Sequence, residues 1–449
     1  MAKLFGTDGV RGLANSELTP EIAYNLGRSG AFVLSNFLKC KSKILIGKDT
    51  RISGGLLEAA LVSGICSVGV DVDLVGVIPT PGIAYLTKKN NYDAGIMISA
   101  SHNPFYDNGI KFFNKNGYKL SDELENKIEE IIFDKSDNLP KITHEKIGVV
   151  SYKYNLLDDY ADFLENSFSE LDLSNFKIAL DCANGATYKI VSRIFKNLGA
   201  KVYVINNQPD GININLDCGS THIDGLVKFV FENNCDIGFA FDGDGDRCLI
   251  VDNNGKIIHG DEILSIIGCY MKSKKILREN TIVTTIMSNL GLFMVGKKEK
   301  INIIKTKVGD RYIAEEMLKN DYNLGGEQSG HIILSDYNTT GDGILTSLYI
   351  SKIMFEVGGK ICDLNNMEVM PQVLVNAKVS NVKKNDYLSN IEIKNAIKSL
   401  ENEFGEAGRI VIRPSGTEPV IRVMLEGQNK NLLNQAAMNL ANLIEKKLK

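Results

Sequence analysis

The sequence predicts an α/β fold of three similar α/β units followed by a smaller C-terminal α+β unit. Short apolar, β-branched runs alternate with helical periodicity along most of the 449 residues, the pattern of mostly parallel sheets covered by helices. That pattern restarts twice, each time ending a strand in a polar loop. The tail breaks it, with two strands and one long amphipathic helix. At roughly 150 residues per domain the length suggests about three domains, with two or four also fitting. The expected boundaries are residues 1–150, 151–253, 254–366 and 367–449.

In the first unit, KILIG (Lys43–Gly47) reads as a buried strand, Leu56–Val68 as a helix and Val72–Val75 as the next strand. AGIMIS (Ala94–Ser99) is a third strand, and DELENKIEEIIF (Asp122–Phe133) carries apolar residues at helical spacing. The polar stretch Lys135–Gly148, with Pro140, reads as a linker. In the second unit, strand Lys177–Leu180 leads through DCANGAT to a helix ending near Leu198, with strands Lys201–Ile205 and Cys235–Phe241 after it. The third has strands Thr281–Thr285 and Ile301–Thr306 and helices Tyr312–Leu318 and Ile344–Phe355. The tail has strands Arg409–Ile412 and Val420–Glu426 and a helix over Leu432–Leu448.

Composition excludes several functions. With 51 Lys and Arg against 55 Asp and Glu, the net charge of −4 leaves no basic footprint for nucleic acid. Apolar residues at 44% and charged residues at 24% are ordinary for a globular protein. No apolar run approaches the roughly 20 residues that span a bilayer, so no membrane partner is expected. MAKLFGTDGVRG lacks a secretory apolar segment, and the eight cysteines include no CxxC pair. A cytoplasmic protein with reduced, mostly buried thiols is expected.

Four loops carry chemistry, and in open α/β sheets ligands bind beyond the carboxyl ends of strands. SASHNP (Ser99–Pro104) offers Ser101 as a nucleophile or phosphate carrier, or merely a capped turn with a structural His102. DGDGDR places Asp242, Asp244 and Asp246 at alternate positions after an apolar strand. Three carboxylates brought together repel, so a cation is the natural compensation, and all-oxygen ligands favour Mg²⁺ or Ca²⁺ over Zn²⁺. An EF-hand would need Gly and Glu where Arg247 and Asn253 stand. GGEQSGH supplies Glu327, Ser329 and His331, which suit sugar hydroxyls, or a glycine-rich turn. RPSGTEP offers Arg413, Ser415 and glycine-freed amides as a phosphate cradle, or a tight turn between strands. Arg11, Lys111 and Arg311 lie near these loops. Lys111 reads either as a buried acid/base lysine of lowered pKa or as an edge-strand lysine facing water.

Taken together and in order, FGTDGVRG, SASHNP, DGDGDR, GEQSGH and RPSGTEP resemble the α-D-phosphohexomutase family over essentially the whole chain. GEQSGH, TTGDG (Thr339–Gly343) and RPSGTEP look most like its glucosamine-phosphate branch, since glucose- and mannose-phosphate relatives tend to carry Met where Gln328 stands. The resemblance implies a heart-shaped molecule with a central cleft. It implies one Mg²⁺ per site, held by Asp242, Asp244, Asp246 and an oxygen of phosphorylated Ser101, with Arg247 beside that phosphate. Glu327 and Ser329 would bind the sugar. Arg413, Ser415, Gly416 and Thr417 would bind its non-reacting phosphate. Lys111 and His331 would be general acid/base candidates, with Arg11 supporting the site. The implied reaction interconverts hexosamine 6- and 1-phosphates through a sugar 1,6-bisphosphate, with a small-molecule partner and a monomeric or homodimeric enzyme. The loop VGDR departs from relatives that have His there, placing Asp310 and Arg311 instead. Rival readings are a phosphomannomutase or phosphoglucomutase, a Mg²⁺ phosphatase with an aspartate nucleophile, and a silent sugar-phosphate-binding protein.

Overall fold

A computed structural model describes residues 4–6, 8–35, 41–134, 138–405, 408–415 and 419–448. Four sheets follow one another along the chain. The first has six strands in the spatial order Val10–Leu13, Asp107–Asn114, Ala94–Ile98, Lys43–Lys48, Asp71–Val77 and Val150–Tyr152. Its four last-named strands run parallel, whereas Asp107–Asn114 is antiparallel to both of its neighbours. Strand Ala94–Ile98 is buried throughout, as an unbroken apolar run in a covered sheet should be. Helix Pro20–Leu34 begins with Thr19 capping the Ile22 amide and Pro at the first turn, and Ser121 caps Asp122–Phe133 in the same way.

The second sheet orders Ile257–Ile258, Cys248–Asp252, Ile237–Phe241, Lys177–Asp181 and Lys201–Ile205. The third orders Asn302–Thr306, Thr281–Thr285, Leu324–Gly326 and Ile332–Leu334. The fourth is wholly antiparallel, with Val420–Gly427 between Gln372–Lys378 and Gly408–Pro414. The first three sheets are mostly parallel, as expected, and each is interrupted or extended by one strand that turns straight back, Asp107–Asn114, Cys248–Asp252 and Ile332–Leu334. One departure from the sequence expectation stands out. The polar stretch after Asp134, as far as it is described, returns the chain to pair Val150–Tyr152 beside Asp71–Val77.

One apolar core runs continuously from Leu45 through Tyr160, Phe195, Phe239 and Ile267 to Met367, so the first three units are packed as one body. Tyr160 is fully buried there and donates to Asp342 at 2.7 Å. The C-terminal unit has its own core, centred on Val423, Leu425, Leu440 and Ile444. It is fastened to the third unit by polar contacts. Asn289 donates to the Met370 carbonyl (3.0 Å) and to Glu426 (3.2 Å), and Arg409 donates to the Ser288 carbonyl (2.6 Å). Seven cysteines are free, and Cys40 lies outside the described residues. Among the described residues no helix is long and apolar enough to cross a membrane.

Candidate active site

The SASHNP loop follows the buried strand Ala94–Ile98, and DGDGDR follows the buried strand Ile237–Phe241. The two meet although 141 residues separate them: Ser101 Oγ donates to Asp242 Oδ2 at 2.6 Å. Ser101 has φ +53°, a left-handed conformation that costs a residue with a Cβ about 1 kcal/mol. Gly243 makes the approach possible, since a Cβ there would lie 2.6 Å from the Ser101 carbonyl. Gly245, at φ +70°, supplies the turn that brings the third carboxylate back.

Ligand oxygens of Asp242, Asp244 and Asp246 lie within 4.8 Å of one another, and all three residues are buried. Burial, then repulsion from Asp246 and Asp244, pushes Asp242 well above the usual carboxylate range. Burial acts on Asp246 in the same sense, but Lys111, His331 and Arg247 overcome it and hold that group low. Asp244 Oδ1 and Asp246 Oδ1 are buried and make no hydrogen bond. Clustered carboxylates with orphaned buried oxygens fit a hard divalent cation.

Lys111 faces inward from its strand, with Nζ 2.8 Å from Asp244, 3.0 Å from Asp8 and 3.6 Å from Asp246. This corrects the expectation of a lowered pKa. Burial does act downward, but the three carboxylates outweigh it and the ammonium is held firmly charged. Asp8 also pairs with Arg11 and Lys119, and Lys119 reaches across to Asp310 of the third unit. Arg247 donates its amide to Asp242 (3.2 Å), and its side chain lies beside Asp246. His102 Nδ1 is 3.3 Å from Ser101 Oγ. Burial, with Arg247 and Arg11, lowers His102 to about 4, so it is neutral at pH 7.

His331 Nδ1 is 3.6 Å from Asp246 and Nε2 is 3.4 Å from Asp310, while the Gly341 amide donates to Nε2 at 3.1 Å. An amide can only donate, so the neutral ring carries its proton on Nδ1, facing the carboxylate. Burial lowers this imidazole, but Asp246 and Asp310 together raise it above its ordinary value. Glu327 is raised by burial and by Asp310, and its Oε1 accepts from the Gly309 amide at 3.3 Å. Asp8, Arg11, His102, Asp246, Arg247, Asp310, Glu327 and His331 line one cavity of about 380 Å³, whereas Ser101, Asp242, Asp244 and Lys111 are buried and are not among its lining residues.

Three of the four loops therefore converge. Arg413 and Ser415 do not line that cavity, and Gly416 and Thr417 lie outside the described residues. Ser329 is not among the lining residues; its hydroxyl is buried and makes no hydrogen bond. Arg311 is a correction: its guanidinium is taken up by Asp122, Glu125 and Glu315, while Val308, Gly309 and Asp310 of that loop line the cavity. Sequence reasoning did not single out Asp8, although it lies within FGTDGVRG, or Lys119. It also missed Arg422, paired in register with Arg413 on the neighbouring strand. Burial and the Arg422 charge depress the Arg413 guanidinium, and two arginines directly opposite each other favour an anion between them.

The chain matches the phosphoglucomutase/phosphomannomutase family in all four of its parts. These are alpha/beta/alpha domain I over residues 2–139, domain II over 158–255, domain III over 259–370, and the C-terminal domain over 374–443. It is 56% identical over 449 residues to the phosphoglucosamine mutase of Ruminiclostridium cellulolyticum, covering 100% of both chains. It is 57% identical over 451 residues to that of Clostridium botulinum strain Hall, again covering 100% of both. Among solved structures, a phosphoglucomutase/phosphomannomutase family protein from Burkholderia thailandensis superposes with a TM-score of 0.81 at 22% identity, over 99% of this chain and 97% of that one. The Aspergillus fumigatus N-acetylphosphoglucosamine mutase gives 0.69 at 16% identity, over 100% and 97%. The chain belongs to the phosphoglucomutase/phosphomannomutase family of α-D-phosphohexomutases, enzymes of the isomerase class, and within it to the phosphoglucosamine mutases.

Proposed function

We propose that the chain interconverts glucosamine 6-phosphate and glucosamine 1-phosphate through phosphorylated Ser101 and a sugar 1,6-bisphosphate, the reaction that feeds UDP-N-acetylglucosamine synthesis. The observation that carries this reading is the 2.6 Å contact between Ser101 Oγ and Asp242. A phosphate carrier and a cation-binding triad from distant parts of the chain share one buried point. The Aspergillus relative has been solved with GlcNAc-6P and magnesium, and also with glucose 1,6-bisphosphate.

In the first half-reaction the bond between phosphorus and Ser101 Oγ breaks and one to the free sugar hydroxyl oxygen forms, the hydroxyl proton leaving to a base and the serine oxygen gaining one. In the second, after the bisphosphate has turned over, the bond between its other phosphorus and the sugar oxygen breaks and the bond to Ser101 Oγ re-forms, with the serine proton leaving to a base and the sugar oxygen gaining one. Asp242, Asp244 and Asp246 would hold Mg²⁺, which when bound neutralises charge between two phosphates brought close together. Lys111 and Arg247 add fixed positive charge where the transferring group carries its negative charge. His331 and the neutral His102 are the imidazoles placed to exchange protons, and Lys111, held protonated by three carboxylates, contributes charge rather than a proton. Glu327 and Arg11, on the cavity wall, orient the sugar. Arg413 and Ser415, with Gly416 and Thr417, hold the distal phosphate. That unit has its own core, so it can close on the ligand as a body. The enzyme is placed in the cytoplasm as a monomer or homodimer, with neither a nucleic acid nor a membrane partner.

Intact-mass spectrometry of the purified protein is expected to show one added phosphate, mapped to Ser101. Phosphate on an aspartate would instead establish a phosphatase. Ser101→Ala should abolish turnover in a folded protein. A coupled assay should rank glucosamine phosphate above glucose and mannose phosphates by kcat/KM. Equal or better use of the neutral sugars would select the phosphoglucomutase or phosphomannomutase alternative.

A further inference from the structure

Ser101 is held from both sides of its own peptide by groups that the reaction does not consume. On the amino side, its N–H donates to Ser99 Oγ at 2.9 Å, and Ser99 Oγ donates to Asp49 at 2.6 Å. On the carbonyl side, Arg51 Nη2 donates to the Ser101 oxygen at 3.1 Å and to the Asn103 oxygen at 2.7 Å, while its Nε donates to Asp107 O at 2.9 Å. Asp49 closes the ring by accepting from Arg51 Nη1 at 3.1 Å, and both side chains are fully buried. Asn215 belongs to the second unit, yet its Nδ2 reaches the same two carbonyls, Ser101 O at 2.9 Å and Asn103 O at 3.1 Å. The Arg51 loop is itself stitched to the second unit, with Thr50 donating to Asn184 O (2.6 Å) and the Ile52 amide to Gly211 O (2.9 Å).

We propose that Arg51 and Asn215 are positioning residues that clamp the Ser101 peptide in its left-handed conformation and so aim Oγ at the aspartate triad. The reasoning is geometric. Relaxing φ from +53° into the right-handed region would swing the Cβ by roughly 110° about the N–Cα bond, carrying Oγ away from Asp242. The local sequence does not oppose this relaxation, because Ser has no intrinsic preference for the left-handed region. The opposition comes from the fixed directions of the two carbonyls. Arg51 supplies it from within the first unit. Asn215 supplies it only while the second unit is docked, so the aim of the nucleophile depends on the domain interface that also delivers the metal ligands. Lysine cannot replace Arg51, because a single ammonium lacks the planar fork that reaches Asp49, Asp107, Ser101 and Asn103 together.

This inference rests on phosphorylation of Ser101, and its test separates the two claims. Asn215→Gly keeps the positive φ of 57° available at position 215 and removes the donor. Radiolabelled glucose 1,6-bisphosphate is mixed in a single turnover with full-length enzyme from which a phosphatase has first removed the Ser101 phosphate. Transfer of label to Ser101 should be at least about tenfold slower in Asn215→Gly than in wild type, as expected for a displaced nucleophile. Mg²⁺ affinity and bisphosphate affinity should change less than about twofold. A merely structural role would lower the melting temperature but leave this rate intact. Wild type that takes no label overturns the functional reading. A labelled wild type matched in rate by folded Asn215→Gly overturns the clamp alone. If the variant does not fold, hydrogen exchange of wild type decides. The Ser101 amide should exchange at least about a hundredfold more slowly than an unstructured amide, and exchange at the unstructured rate overturns the proposal.

Discussion

Replacing Lys111 by Met tests the electrostatics of the site most directly, because it removes a charge while keeping an unbranched side chain only one atom shorter. Nζ lies 2.8 Å from Asp244, and at an effective dielectric of about 20 that pair alone is worth about 6 kcal/mol before desolvation. The net cost of removing one partner of such a buried pair is smaller, about 3–5 kcal/mol. In Lys111→Met, Asp244 and Asp246 lose the cation that the fold provides, and Asp8 keeps only Arg11 and Lys119. Two consequences follow with opposite signs. The protein should become less stable in EDTA. A divalent cation, no longer competing with the ammonium for the same carboxylates, should bind more tightly. If only a quarter of the pair energy is recovered, about 1.5 kcal/mol, Mg²⁺ affinity rises about tenfold. Calorimetric titration of metal-stripped protein measures that affinity, and melting curves with and without Mg²⁺ measure the reciprocal stabilisation. Turnover should fall in the same variant. Equal or weaker Mg²⁺ binding in a folded Lys111→Met would show that the lysine does not oppose the metal and would refute the reasoning.

Asp244→Asn should weaken Mg²⁺ binding by about tenfold or more and lower activity in parallel, since it keeps shape and removes charge; metal titration checks it, and activity undiminished by EDTA would count against the assignment. Arg413→Ala should raise KM by about 10- to 100-fold with little change in kcat, because it removes a charge-assisted contact to a phosphate remote from the chemistry. Asp261 predicts a pH dependence of stability. Burial, aided by Glu426, raises it to about 7 against the Asn289 amide, Ser288 and Arg409. The fold thus favours its protonated form, a contribution complete below about pH 4 and lost as pH rises through 7, worth about 4 kcal/mol in all. Asp261→Asn should flatten the loss of stability between about pH 4 and about pH 7, and denaturation curves falling in parallel with wild type would contradict it.

Local pattern determined much of this protein. The strands Ala94–Ile98 and Ile237–Phe241 are legible because they are unbroken apolar runs, and helix Asp122–Phe133 because its apolar residues recur at helical spacing. The aspartate triad is legible because like charges packed at alternate positions make little sense without a cation. These signals lie within a few residues of one another, where covalent spacing alone fixes proximity. Tertiary structure alone decided the rest, since no local pattern records which distant loops share a cavity. It turned Lys111 from a lysine of lowered pKa into a fixed cation, because three carboxylates from two separate segments surround it. It withdrew Arg311 from the cavity into a cluster of Asp122, Glu125 and Glu315. It placed Arg51 and Asn215, unremarkable in the sequence, on the carbonyl of Ser101. A charge in a polar stretch reads as solvated until packing removes the water, and only the packed chain decides which charges then face each other.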